Sequence, residues 1–319
     1  MTTGNLHYAV LGMGPVGSTL ATLLKQSGQR VSVLCGERPQ FNAVMDHPVV
    51  VSGSLNAEAR FTDVFLDLRD VIAAKPDVLF IVTKACDSPV LLRDLKRFGI
   101  HGKAIFVSCQ NGLDVENQIV EIFGTARALR MVLNLGVGFL KQNEVRVHFN
   151  YSHVLSLRGE VNADVTRVIA EDLNRAGLTI EPRADYRSDV FKKVILNSAV
   201  GTVCALTGMT MKEVYQEREI GRLVRQLIRE GIAVGQAMKL NIADSFFEEA
   251  VQYLAHAGDH KPSMLVDIEH ARHTENEYQC GKIFEYAEKL GLEVAATQTL
   301  YYLLKSLEKN TIQKSGRKI

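Results

Sequence analysis

Apolar residues in the first half of the chain fall into short runs, separated by polar turns and by stretches of helical spacing. Residues 6–11 are a compact apolar run that predicts a strand; Gly12-Met13-Gly14-Pro15-Val16-Gly17 follows at once, and the spacing over 18–25 predicts a helix. A second strand is predicted over 30–35, ending at Gly36-Glu37-Arg38. Residues 77–82 are almost continuously apolar, as a parallel strand covered on both faces should be. That run ends in Thr83-Lys84-Ala85; a helix over 89–98 and a strand over 104–109 follow, the latter ending in Gln110-Asn111-Gly112. Two or three further strands are predicted within 130–139, 144–149 and 178–183. After Arg183 the strand-like runs stop, and helices are predicted over 185–206, 211–239, 244–257, 263–290 and 294–309. The expected architecture is α/β: an N-terminal Rossmann-type doubly wound sheet over 1–183, then an all-helical domain over 184–319.

The first turn carries the most specific chemistry. Strand, G-x-G-x-x-G and helix in immediate succession are the context a dinucleotide site requires. Gly12 permits the tight turn, Gly14 lets a pyrophosphate approach the backbone, and Gly17 lets helix and strand pack closely. The free N–H groups and positive dipole end of the helix face the phosphates, and Pro15 suits the first helical turn. Gly12, Met13, Gly14, Pro15, Val16 and Gly17 are therefore expected to hold a dinucleotide. Ligands on such sheets bind at the carboxyl ends of the strands, where Glu37, Arg38, Lys84 and Asn111 also fall.

Charge and composition narrow the classes. The 37 Lys plus Arg nearly balance 36 Asp plus Glu, which points to neither nucleic acid nor a membrane surface. No stretch of about 18 uninterrupted apolar residues predicts a transmembrane helix, and no basic region with an apolar signal core opens the chain, so a cytoplasmic protein is expected. Cys35, Cys86, Cys109, Cys204 and Cys280 are widely spaced with no CxxC pair, which reads as reduced, mostly buried thiols with no metal site. The basic, polar tail over 309–319 reads as a frayed end.

In the second half, residues 190–206 are apolar on nearly every side, as a buried helix is. Lys193, Asn197 and Gly201 fall at i, i+4 and i+8 and share one face. A lysine there either snorkels to solvent or lines a polar cavity, where partial burial lowers its pKa toward proton donation. Ser263 opens a predicted helix, where an N-cap role is the common one. Glu275 lies about three turns further on, on a similar face, where a solvated carboxylate is the plain alternative. His270 and His273 read as surface histidines.

Taken together, the glycine turn, Val82-Thr83-Lys84-Ala85, Gln110-Asn111-Gly112, Lys193 with Asn197, Ala205-Leu206-Thr207-Gly208, Ser263-Met264 and Arg272-His273-Thr274-Glu275 resemble the ketopantoate reductase family over nearly the whole chain. The resemblance implies NADPH-dependent reduction of 2-dehydropantoate to pantoate, on the way to pantothenate. It also implies a small-molecule 2-oxo acid substrate and a homodimer, with the helical domain binding substrate and pairing subunits. It matches Lys193 to the proton donor and Glu275 to the glutamate of the substrate site. Asn197, Ser263 and Asn111 match residues around substrate and nicotinamide. Gly12 to Gly17, Glu37, Arg38, Lys84 and Asn111 would then hold the cofactor.

The chain also departs from the family pattern. A second asparagine usually stands where Gly201 does, and His260, placed here with the substrate-binding residues, stands where asparagine is frequent. The last helix lacks a usual proline at Ala295, and Gly36 replaces a frequent arginine after the second strand. The lost amide at 201 opens the alternative of a different 2-oxo acid, because hydrogen-bonded sites discriminate strongly. A non-catalytic NADP-binding regulator is the alternative of another class. Glu37 lies about twenty residues past the last glycine, where an acid takes the ribose hydroxyls of NAD. Arg38 could instead clamp a 2′-phosphate. The family habit favours NADP, with NAD left open.

Overall fold

The structure is a computed structural model that describes residues 6–157 and 159–316, with the side chains of 159–162 outside the description. The chain divides into two compact units. The first runs to Gln110 and resumes over Asp114–Tyr186; the second takes Asn111–Leu113 and everything from Arg187. The three-residue excursion of Asn111–Leu113 into the second unit has no counterpart in the hydrophobic pattern.

The first unit begins with β1 (His7–Leu11), α1 (Pro15–Gln26), β2 (Arg30–Leu34), α2 (Arg38–Asp46), β3 (Val49–Gly53), β4 (Ala57–Ala59), β5 (Val64–Phe65) and α3 (Leu68–Ala73). It continues with β6 (Val78–Ile81), α4 (Ser88–Arg97), β7 (Ile105–Ser108), α5 (Asn117–Phe123) and β8 (Ala128–Val132). It closes with β9 (Leu135–Lys141), β10 (Glu144–Asn150), β11 (His153–Ser156), α6 (Gly159–Arg175) and β12 (Ile180–Arg183). The main sheet has the order β12-β11-β8-β7-β6-β1-β2-β5. All its pairings are parallel except β11 on β8. Period-two alternation sends Tyr8 and Val10 into the core shared with Leu20 and Leu24 of α1, and Ala9 and Leu11 into the opposite core with Leu92, Leu95 and Ile119. Both faces are thus covered, which is why β1, β6 and β7 are apolar throughout.

Four strands form a second sheet of order β4-β3-β10-β9: β9 and β10 overlap the strands predicted within 130–139 and 144–149, whereas β3 and β4 fall where no strand is predicted. Its strands are at most half-covered; in β10 only Val145 and Val147 are buried. The two or three strands expected after residue 130 are five from β8 onward.

The second unit is helical among its described residues: α7 (Tyr186–Thr207), α8 (Met211–Gln216), α9 (Arg218–Ala237), α10 (Phe246–Ala255), α11 (Ser263–Glu269), α12 (Cys280–Leu290) and α13 (Ala295–Lys314). By length and composition α7 could cross a membrane, yet 67% of its most apolar window is buried inside the fold, as in the core helix of a globular unit.

Three expectations are corrected. The single helix over 211–239 is broken at Glu217, whose extended backbone lets its carboxylate cap α9 through the Ile220 N–H at 2.6 Å. The single helix over 263–290 is two, because Ala271 takes a left-handed φ of +50° and the chain then crosses to α13 before restarting. The tail is helical to Lys314, with Ile312 buried.

Candidate functional site

In the first unit the chain leaves β1 and turns at Gly12, whose φ of +106° only glycine adopts readily. A Cβ on Gly17 would lie 1.9 Å from the Gly12 carbonyl oxygen, so no side chain fits there. A Cβ on Gly14 would meet nothing within 4 Å: the backbone here is open to a ligand. Gly14 is the extended N-cap of α1, and Pro15 is its first helical residue. The first turn of α1 thus presents backbone N–H groups without helical acceptors. The Gly12 N–H donates to Leu34 at the end of β2 (3.2 Å), while its Cα faces the Thr83 backbone at the end of β6. Because β1 lies between β2 and β6, the turn sits at the switch point where such sheets take ligands.

Three of the other residues predicted to hold the cofactor, Glu37, Arg38 and Lys84, follow strands at the carboxyl edge of the same sheet. Glu37 is the N-cap residue of α2, exposed, with its carboxylate making no capping bond. Arg38 is exposed and holds its guanidinium 5.4 Å from the Phe41 ring centroid. Lys84 is half-buried in the loop between β6 and α4.

The sequence reading missed three side chains here. The Gln40 amide donates to the Met13 carbonyl and ties α2 to the glycine turn. Gln110 donates to the Thr83 carbonyl at 2.8 Å and to the Ser88 hydroxyl, fixing the loop that carries Lys84. The Thr83 hydroxyl is buried with no hydrogen-bond partner. Position at a strand's carboxyl end was the available signal for Thr83 and Gln110.

In the second unit Asn111 and Glu275 meet. The Asn111 amide donates to the Glu275 carboxylate at 3.1 Å, across 164 residues of sequence. The segment is seated by Leu113, whose N–H donates to the Tyr278 carbonyl at 2.8 Å. A Cβ on Gly112 would come within 2.5 Å of the Tyr278 Cβ, so this approach needs glycine. Asn111 is half-buried and Glu275 buried.

Lys193 and Asn197 are half-buried on α7, as their helical spacing requires. Gly201 is buried, and its missing side chain is replaced by Met264, whose sulfur would lie 3.4 Å from a Cβ there. Ser263 is not an N-cap: Pro262 holds that position, and Ser263 is the exposed first residue of α11. Glu275 does not share a helical face with it, because 270–279 lie outside both α11 and α12. His260 is half-buried, and its carbonyl accepts from the Met211 N–H at 3.1 Å.

The family model described as "Ketopantoate reductase PanE/ApbA" matches residues 8–158, and "Ketopantoate reductase PanE/ApbA C terminal" matches 185–308. The chain belongs to the ketopantoate reductase family. The 2-dehydropantoate 2-reductase of Streptococcus pyogenes is 25% identical over 307 residues, covering 94% of this chain and 97% of that one. A D-mandelate dehydrogenase solved with NADH and anilino(oxo)acetate superposes with a TM-score of 0.86 at 20% identity, covering 96% of this chain and 99% of that one. A dimeric ketopantoate reductase from Staphylococcus aureus gives a TM-score of 0.78 at 21% identity, covering 96% of this chain and all of that one. These structural likenesses concern the fold; the family's chemistry makes this member an oxidoreductase of the ketopantoate reductase type.

Proposed function

We propose that this family member reduces 2-dehydropantoate to pantoate with NADPH, a step of pantothenate biosynthesis. The observation that carries the reading is the Asn111–Glu275 pair, which joins two residues that the family resemblance assigns to one site. The dinucleotide fits the first unit: Gly14 opens to free space, α1 presents its N-terminal N–H groups, and the orphaned Thr83 hydroxyl lies beside the turn. Gly12 to Gly17, with Met13, Pro15 and Val16 between them, would hold the pyrophosphate. Glu37 and Arg38 would meet the adenosine ribose, and Lys84 and Asn111 would complete the cofactor contacts. Arg38 suits a 2′-phosphate, which supports NADPH over NADH. A reduced nicotinamide supplies, when bound, the hydride that adds to the 2-oxo carbon.

The protein's own part is charge and proton management. Lys193 directs its ammonium at the carbonyl oxygen as that oxygen gains charge, and gives it a proton. Glu275, Asn197, Ser263 and His260 hold the 2-oxo acid in place for that transfer. Five cysteines that form no disulfide suit a reducing, cytoplasmic compartment. A homodimer is part of the proposal, supported by the dimeric relative; light scattering that returns the monomer mass at micromolar concentration contradicts it.

A second reading has its own observation. Met264 closes the third position of the Lys193-Asn197-Gly201 row, leaving an apolar thioether there instead of an amide. This supports a 2-oxo acid whose far end is apolar. NADPH oxidation by the purified protein, run with ketopantoate beside a panel of branched and aromatic 2-oxo acids, decides between them. Clear preference for ketopantoate sustains the first reading, and activity confined to the panel establishes the second. Silence throughout with NADPH still bound favours the regulator over both.

A further inference from the structure

The segment that carries Glu275 is irregular, yet it is tied down on both sides by one helix. We propose that Glu308, near the end of α13, is a positioning residue for Glu275, acting through Thr274. This rests on the reading of Glu275 as a substrate-site residue.

The Glu308 carboxylate is largely covered and receives three donors from the segment. The Thr274 N–H donates to its Oε2 at 2.8 Å, the Thr274 hydroxyl donates to the same oxygen, and His273 Nδ1 lies 2.9 Å from Oε1. The Thr274 hydroxyl also accepts from the Asn276 N–H at 3.3 Å, so it bridges across Glu275. On the far side the Asn276 amide donates to the Tyr301 carbonyl of α13 at 3.0 Å. Glu277 is then held by the Tyr301 hydroxyl at 2.6 Å and by Lys305 at 2.5 Å. Residues 273, 274, 276 and 277 are therefore fastened to α13, and the Glu275 side chain turns instead to Asn111.

Charge-assisted bonds are the strong members of such a set, and Glu308 supplies them next to the residue that matters. Loosening it frees Glu275 to wander by the fraction of an ångström that positioned groups do not tolerate. Thr274 has the same role by a second route: valine there keeps the N–H bond to Glu308 but removes the bridge to Asn276.

The test compares Glu308→Gln, Thr274→Val and Thr274→Ser with Glu230→Gln, which loosens the opposite end of α13. Glu308→Gln and Thr274→Val are expected to lower kcat/KM for the 2-oxo acid by about tenfold, with KM for NADPH unchanged. Thr274→Ser should restore the rate, and Glu230→Gln should lower Tm without changing turnover. In a Glu275→Gln background, Glu308→Gln should cost nothing further, since both act through one carboxylate. Full additivity in that cycle, or an equal loss in Glu230→Gln, overturns the proposal in favour of a general structural role. Hydrogen exchange at the Thr274 and Asn276 amides gives a readout without turnover. It should quicken by about tenfold or more in Glu308→Gln, and unchanged exchange overturns the clasp. If the wild-type protein reduces no 2-oxo acid, the proposed function fails, while the exchange result still decides whether α13 holds this segment.

Discussion

The two units build their candidate sites in opposite ways. In the first, six consecutive residues between β1 and α1 make the binding turn, and its logic is local: a left-handed Gly12, an open Gly14 and a Gly17 with no room for a methyl. In the second, Asn111, Lys193 and Glu275 come from separated parts of the sequence, and at least one pairing depends on side chains that interrupt regular structure. A phosphate is recognised by backbone geometry, which a short motif can encode. A small 2-oxo acid is recognised by side chains, whose placement is a tertiary matter.

Breaking the first unit should have the largest effect. Gly17→Ala places a methyl against the Gly12 carbonyl oxygen and should weaken NADPH binding by more than about a hundredfold in a fluorescence titration. Retained affinity would mean that the turn adjusts and that the motif is less demanding than its geometry suggests. Breaking the second unit away from its chemistry should cost stability alone. The Glu230 carboxylate accepts from Thr297 N at 2.8 Å, Thr297 Oγ at 2.7 Å and Ala296 N at 3.2 Å, satisfying the start of α13. Glu230→Ala leaves the two Thr297 donors buried without a partner and should lower unfolding free energy by about 2 kcal/mol in urea. NADPH affinity should stay as it was.

The smallest effect concerns the thiols of both units. Burial pushes Cys35 up to about 11 and Cys204 up to about 12, and raises Cys280 as well. Cys109 is also buried, and Cys86 is half-buried. At pH 8 one thiol, Cys86, should react quickly with a maleimide, and all five should react in denaturant. Fast labelling of Cys204 or Cys280 in the native protein would show that the helical unit opens more readily than its packing implies.

The legibility of the fold follows the same division. The central strands were readable because a parallel strand covered on both faces is apolar throughout, and α7 because it is apolar on nearly every side. In the second sheet β9 and β10 overlap predicted strands, but β3 and β4 escaped because only alternate positions are covered and β4 spans three residues. The break in 263–290 escaped because helical spacing continues through it; α11 ends before the left-handed Ala271, and Thr274 and Asn276, held by Glu308 and by the Tyr301 carbonyl, keep the chain out of helix until α12. The residues of the candidate site were nameable from motif order and grouped by the family resemblance, but the contact between Asn111 and Glu275 was not legible. Asn111 was read as a strand end, and its membership of the second unit emerges only in the fold.

The central claim is that the first unit binds the dinucleotide while Lys193 of the second provides the proton. The measurement that tests it most directly is substrate-dependent NADPH oxidation by Lys193→Ala, with NADPH affinity titrated on the same sample. The account predicts turnover lower by about a thousandfold or more with affinity unchanged. Turnover equal to that of the wild type would contradict it.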